Sequence, residues 1–247
     1  MADLLLSERR RYLEDLEIAT YPTLDFGAPE VDYGKDAFVA AGSLVGFDNT
    51  VDRSNREDVL DSELLAQLAA NKVANRDKEA LKWYDKYRQV LENIGWVIQA
   101  FQFDGKRMDK SSFSMDDVVI KVLQSVVTGN GLAIVEAALA ALKGTGEGSR
   151  EVNIFETSST SPNAGNFQVF PCYASDMGVA ISFSGYEMRT TENVSHFLFW
   201  TFKSSTTTIQ AAAETSVLNE AIYAKIRATV QAKLGKAAQD YVGGLDI

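Results

Sequence analysis

Residues 166–210 constrain the fold of this chain more than any other stretch. Three segments there read as β-strands: residues 167–173 (FQVFPCY), 177–188 (MGVAISFSGYEM) and 194–203 (VSHFLFWTFK). In the third, alternation puts Phe197, Phe199 and Thr201 on one face and His196, Leu198, Trp200 and Phe202 on the other. Both faces are mostly apolar. A strand of that kind is covered on both sides, by helices or by lipid. The pattern predicts helices around a sheet.

Composition then narrows the setting. A chain of 247 residues with 46% apolar and 23% charged residues can bury a full core. A formal net charge of −10 and a pI near 4.7 speak against a nucleic-acid ligand, whose affinity rests on Lys and Arg meeting phosphates. They also speak against simple electrostatic attachment to anionic membranes, while neutral or zwitterionic surfaces stay open. Cys172 is the single cysteine, so no intrachain disulfide forms. The N-terminal apolar run is confined to residues 4–6, with no signal-peptide core behind it. The longest apolar segment, residues 131–142 (GLAIVEAALAAL), contains Glu136 and is too short for a transmembrane helix. The expectation is a protein made soluble in the cytoplasm. If it acts outside the cell, it leaves by lysis or a dedicated route.

Along the chain, residues 1–19 read as a short amphipathic helix. Residues 20–55 read as an irregular covering segment with a short helix near 36–41, ordered by Tyr21, Phe26, Tyr33, Phe38 and Phe47. Helices are predicted at 61–71, capped by Asp61 or Ser62, and at 77–93, with Leu81, Tyr84, Tyr87, Leu91 and Ile94 on one face. A strand follows at 96–103. Ser114 to Asp117 forms a capping-box-like start to a helix that places Val118, Val119, Val122 and Val126 on one face; a strand is the competing reading of so Val-rich a segment. Residues 131–143 make another helix, and residues 144–150 (GTGEGSR) a flexible connector. After it come a strand at 151–157, the three strands above, a short strand at 205–210, one helix at 216–234 and a tail helix at 236–242. The whole reads as a single α+β domain, residues 1–247, with a mainly antiparallel sheet and helices packed on both faces. Residues 1–60 cover, 61–143 are helical, 151–210 are the β part and 216–242 the C-terminal helices.

Catalytic and metal patterns are missing. His196 is the single histidine and reads as structural. No cysteine–histidine zinc spacing exists. Residues 48–52 (DNTVD) lack the glycine and final glutamate of a calcium loop. Residues 144–148 lack the lysine of a phosphate-binding loop. Cys172 reads as a buried inert thiol, with modification or acylation as the lesser reading. The expectation is a protein that is not an enzyme and carries no cofactor or metal.

The order of elements resembles the Cyt delta-endotoxin fold, which includes bacterial cytolysins, mushroom cytolysins and a related virulence factor. The residues that carry the resemblance are 118–127 (VVIKVLQSVV), 152–155 (VNIF), 170–173 (FPCY), 178–187 (GVAISFSGYE), 196–201 (HFLFWT) and 205–210 (STTTIQ). It implies a membrane-active cytolysin or virulence-type protein whose helical cover is released and whose strands insert or oligomerise on a lipid membrane or host target. On that reading Phe183, Phe197, Phe199, Trp200 and Phe202 are the membrane contacts. The alternative is a soluble, non-lytic binding or assembly module of the same fold.

Overall fold

The computed structural model describes residues 2–20, 31–98, 102–127 and 129–247. Helix α1 spans Ala2–Asp15 and is followed by strands β1 (Ala37–Ala40) and β2 (Ser43–Phe47). Helices α2 (Arg53–Val73) and α3 (Ala80–Ile94) come next, then short strands β3 (Trp96–Val97), β4 (Asp104–Lys106) and β5 (Ser112–Phe113). Helices α4 (Met115–Leu123), α5 (Gly131–Gly144) and α6 (Arg150–Ser159) lead to strands β6 (Thr160–Ser161), β7 (Ala164–Ser175) and β8 (Gly178–Thr190). A 3₁₀ turn (Phe197–Phe199), β9 (Phe202–Lys203) and β10 (Thr207–Leu218) follow. Helices α7 (Glu220–Tyr223), α8 (Arg227–Leu234) and α9 (Ala237–Tyr241) and strand β11 (Val242–Leu245) close the chain.

The main sheet has the order β11-β1-β2-β7-β8-β10-β3, with β4 also on β10 and β6 on β7. Its β2–β7 pair is parallel and the other pairs are antiparallel. Helices α2 and α3 pack on one face. Helices α4, α5 and α6 lie on the other, α4 over β8 and β10 and α5 over β2 and β7. Helices α1, α8 and α9 pack outside the α2–α3 layer, so α2 is enclosed on two sides. The fold is α+β with a mainly antiparallel sheet between helical layers, as the periodicities predict.

The local reasons are explicit. In α3, Tyr84, Tyr87, Leu91 and Ile94 form the buried stripe, widened by Trp83 and Val90, and Gly95 at φ 112° stops it. Leu81, expected in that stripe, is exposed. Helix α4 has the expected capping box between Ser114 and Asp117, with Met115, Val118, Val119, Val122 and Leu123 buried. Helix, not strand, is the outcome for this Val-rich segment.

Several expectations are corrected. Residues 37–40 are strand β1 rather than a helix, and β1 and β2 lie inside the sheet rather than over it. Residues 21–30, with Tyr21 and Phe26, lie outside the described residues, as do 99–101 of the strand expected at 96–103. Helix α2 begins at Arg53, where the Asp52 carboxylate accepts the Asn55 N–H at 2.9 Å, so Asp61 and Ser62 are interior and not caps. Residues 151–157 are helical, because the Ser149 hydroxyl accepts the Val152 N–H and starts α6. The long helix expected from 216 does not exist: β10 runs to Leu218, and α7 and α8 follow. The tail helix ends at Tyr241, and the chain then pairs with β1 as β11.

Candidate functional site

Strands β7, β8 and β10 have 12, 13 and 12 residues and pair along most of their length. Side chains alternate between their two faces. Contacts fix which is which. Tyr186 on β8 donates to Val119 O of α4 at 3.2 Å, whereas Phe183 on the same strand lies 5.6 Å from the Tyr87 ring of α3. The α4–α6 face of β8 is therefore Ala180, Ser182, Ser184, Tyr186 and Met188. Register puts Ile209, Ala211, Ala213, Thr215 and Val217 of β10 beside them. Phe167, Val169, Pro171 and Tyr173 of β7 complete the face. It carries no charge. The α2–α3 face holds Gln168, Glu187, Arg189, Gln210 and Glu214 among its apolar residues.

The α2–α3 cover is joined to the polar face by hydrogen bonds. Gln67 Nε2 donates to Ala40 O at 2.9 Å and to Ser43 Oγ at 3.1 Å, while its Oε1 accepts Gly42 N–H at 2.9 Å. Ser43 Oγ donates to Gln168 Oε1 at 3.1 Å, and Gln168 Nε2 donates to Tyr84 Oη at 2.8 Å. Beside this chain Tyr87 Oη donates to Glu63, which is fully buried and whose Oε1 has no partner. Burial pushes the Glu63 carboxyl up to about 8. Asp61, two residues earlier and on the α8 side of the helix, is pushed up to about 7 by burial, with Glu57 and Asp58 adding repulsion. Asp58 is held by a bidentate pair with Arg227 of α8, both contacts 2.6 Å. Nothing in the sequence patterns pointed to these acids, since carboxylates on a helix normally face water. The enclosure of α2 between two layers is what buries them.

The aromatic segment 194–203 is not a strand. It is a loop carrying the 3₁₀ turn and the short strand β9, which pairs with β5. Its aromatic residues fall on both sides of the alternation because the loop packs against α4, Glu156 of α6 and Phe167 of β7 rather than alternating as a strand does. Phe197 and Phe202 are core residues with ring centroids 4.7 Å apart, and Phe197 also sits against Phe167 and over Gly165. Phe199 and Trp200 are half-buried at its rim, with Trp200 Nε1 at 3.4 Å from Glu192 Oε2. Phe183 stands apart from this group, on the opposite sheet face, stacked on Phe170. The structure therefore brings together four of the five expected contact residues. Glu156 of α6 holds the loop, accepting Leu198 N–H at 3.1 Å and facing His196 Nδ1 at 3.2 Å. His196 thus sits in a loop, not within a strand. Cys172 is fully buried on β7, and burial pushes its thiol well up.

Among the described residues, no group of three or more His, Cys, Asp or Glu is placed to hold a metal, and no helix is long and apolar enough to cross a membrane. No family model and no curated protein matches the chain. Solved structures do. An activated Cyt2Ba monomer from Bacillus thuringiensis subsp. israelensis is similar over 55% of this chain and 79% of its own, at 12% identity and TM-score 0.34. A delta-endotoxin is similar over 81% and 90%, at 11% identity and TM-score 0.41. The Evf virulence factor is similar over 94% and 89%, at 14% identity and TM-score 0.37.

Proposed function

We propose that this chain is a non-enzymatic, membrane-active protein in which α4, α5 and α6 cover a lipid-facing strand surface until they are released. The observation that carries the reading is the uncharged face of β7, β8 and β10. A transmembrane β-strand needs about 9–11 residues and alternates lipid-facing apolar with opposite-facing polar positions. All three strands are long enough, and charge is confined to one face. Release is necessary because one face cannot be buried by helices and lipid together. Leaving a large apolar side chain in water would cost ~1.5–3 kcal/mol. On this reading Phe199 and Trp200 meet the interface first, Phe197 and Phe202 follow when the loop moves with α6, and Phe183 stays with α3.

A tether tests it. A Cβ built at Gly46 on β2 lies 2.5 Å from Ile134 Cγ2 on α5, so Gly46→Cys with Ile134→Cys, in a Cys172→Ala background, sets two thiols within disulfide reach. Dye release from phosphatidylcholine vesicles should be lost in the oxidised form and return on reduction. Leakage by the oxidised form at the reduced rate would sink cover release while sparing membrane action. A parent protein that causes no leakage in any lipid composition or pH would leave the soluble binding module as the reading.

A further inference from the structure

At the far end of β10 from α7, β4 and the turn before β10 enclose a groove of about 620 Å³. Lys106, Arg107, Ser204, Thr207, Thr208 and Gln210 supply its polar lining, and no acidic residue lines it. In a chain of net charge −10 that is an exception. The nearby cations are neutralised: Lys110 by Asp117 at 2.7 Å, Lys121 by Asp109 at 2.8 Å and Lys203 by Glu192 at 3.2 Å. Lys106 and Arg107 make no ion pair among the described residues. Both line the groove, and an anion there gains charge-assisted hydrogen bonds from them.

We propose that this groove is a binding site for a phosphate-bearing anion. Two positive charges match a phosphate dianion. The Arg107 guanidinium offers a planar fork suited to two phosphate oxygens, and Lys106 adds an ammonium donor. The volume lies in the range of small-ligand sites, about 300–1,000 Å³. A lipid headgroup and a free phosphorylated molecule share this chemistry. The site does not depend on the cover-release reading, because the groove is open in the covered protein.

The experiment uses the full chain and two probes. Inorganic pyrophosphate is titrated calorimetrically, and sedimentation is measured with vesicles of phosphatidylcholine alone and of phosphatidylcholine with phosphatidic acid. Lys106→Gln with Arg107→Gln should weaken binding at least tenfold, each single variant should lose part of it, and Lys225→Gln, beyond the other end of β10, should stay within twofold of the parent. Melting curves check that the exposed substitutions leave the fold intact. Pyrophosphate binding that the double variant loses assigns a soluble ligand. Binding to phosphatidic acid vesicles alone, lost in the same variant, assigns a headgroup. The site is refuted if neither probe binds, or if the double variant binds as the parent does. Leakage of phosphatidylcholine vesicles is read separately, so failure here leaves the membrane reading untouched.

Discussion

The two helical layers cover the same sheet by different physics. On the α2–α3 side, Gln67, Tyr84 and Gln168 run hydrogen bonds from helix to strand, and Arg227 fastens the outer layer to Asp58. On the α4–α6 side, contact is made by Val118, Val119, Val122, Leu139 and Phe155 against an uncharged strand face, with Tyr186 donating to Val119 O. Hydrogen bonds are directional, and a broken one leaves a buried group unpaired. Apolar burial is non-directional and can be exchanged for another apolar phase. A layer of the second kind can be traded for lipid at little net cost, and a layer of the first kind cannot.

The sharpest way to break this comparison is to put the wrong chemistry on each side. Val118→Asp would place an unpaired carboxylate against β8 and β10, where Val118 is fully buried. Breaking a dry contact with a charge costs at least several kcal/mol, on the order of 3–5. Failure to express folded, or collapse of the urea midpoint, is expected. Gln67→Leu should cost less, about 2–3 kcal/mol, by leaving Gly42 N–H and Ala40 O without partners. A soluble Val118→Asp protein with the parent's midpoint would show that α4 does not hold the sheet as described.

The second test sharpens the α2 side through pH. The Glu63 and Asp61 carboxyls are raised in the folded state to about 8 and about 7, above their ordinary values of 4.5 and 3.8. Their contribution is fully present below about 4 and is lost as pH rises through 7 and 8. Asp48 and Asp117 work in the opposite sense. Hydrogen bonds from Asn130 and Thr50 lower the first, and those from Lys110 and Ser114 lower the second, so both favour folding above about 4. Stability should therefore peak at about pH 4–5 and fall progressively as pH rises toward 8. Glu63→Gln cannot ionise. Near pH 9 it should exceed the parent by on the order of 5 kcal/mol relative to the difference near pH 4, read from urea midpoints. Parallel pH profiles for the two proteins would mean that Glu63 does not titrate in this window.

What the sequence made legible follows the same division. The apolar stripe of α3 and the capping box of α4 stood out because helical period and cap chemistry are local. The second half of β10 did not. Residues 211–218 (AAAETSVL) favour helix by local propensity, and eleven paired positions with β8 override it. Strands β1 and β2 are too short to show an alternation, and their place inside the sheet depends on β7 and β11, far along the chain. The buried acids Asp58 and Asp61 of α2 depend on α8 arriving from the other end of the chain, and Glu63 on Tyr87 of α3. The basic groove joins residues 106–107 to 204–210, and an overall charge of −10 conceals it.

The smallest effect is expected at His196, where the comparison can be sharpened on the α6 side. The imidazole Nδ1 is 3.2 Å from Glu156 Oε2, and Nε2 is 3.9 Å from Glu147, but the side chain is 45% exposed. Exposed pairs contribute about 0–1 kcal/mol. The loop has a stronger anchor in the Glu156–Leu198 backbone contact and in the burial of Phe197, neither of which needs the ring. His196→Gln should accordingly lower the urea midpoint by less than the equivalent of ~1 kcal/mol and change vesicle leakage by less than about threefold, which is under one decade of rate or ~1.4 kcal/mol. A loss of several hundredfold in a correctly folded His196→Gln protein would give the histidine a chemical role. Glu156→Gln separates the two contributions: its amide oxygen can still accept Leu198 N–H, so an equally small change is expected, whereas Glu156→Ala removes the acceptor and should loosen the loop by about 1–3 kcal/mol.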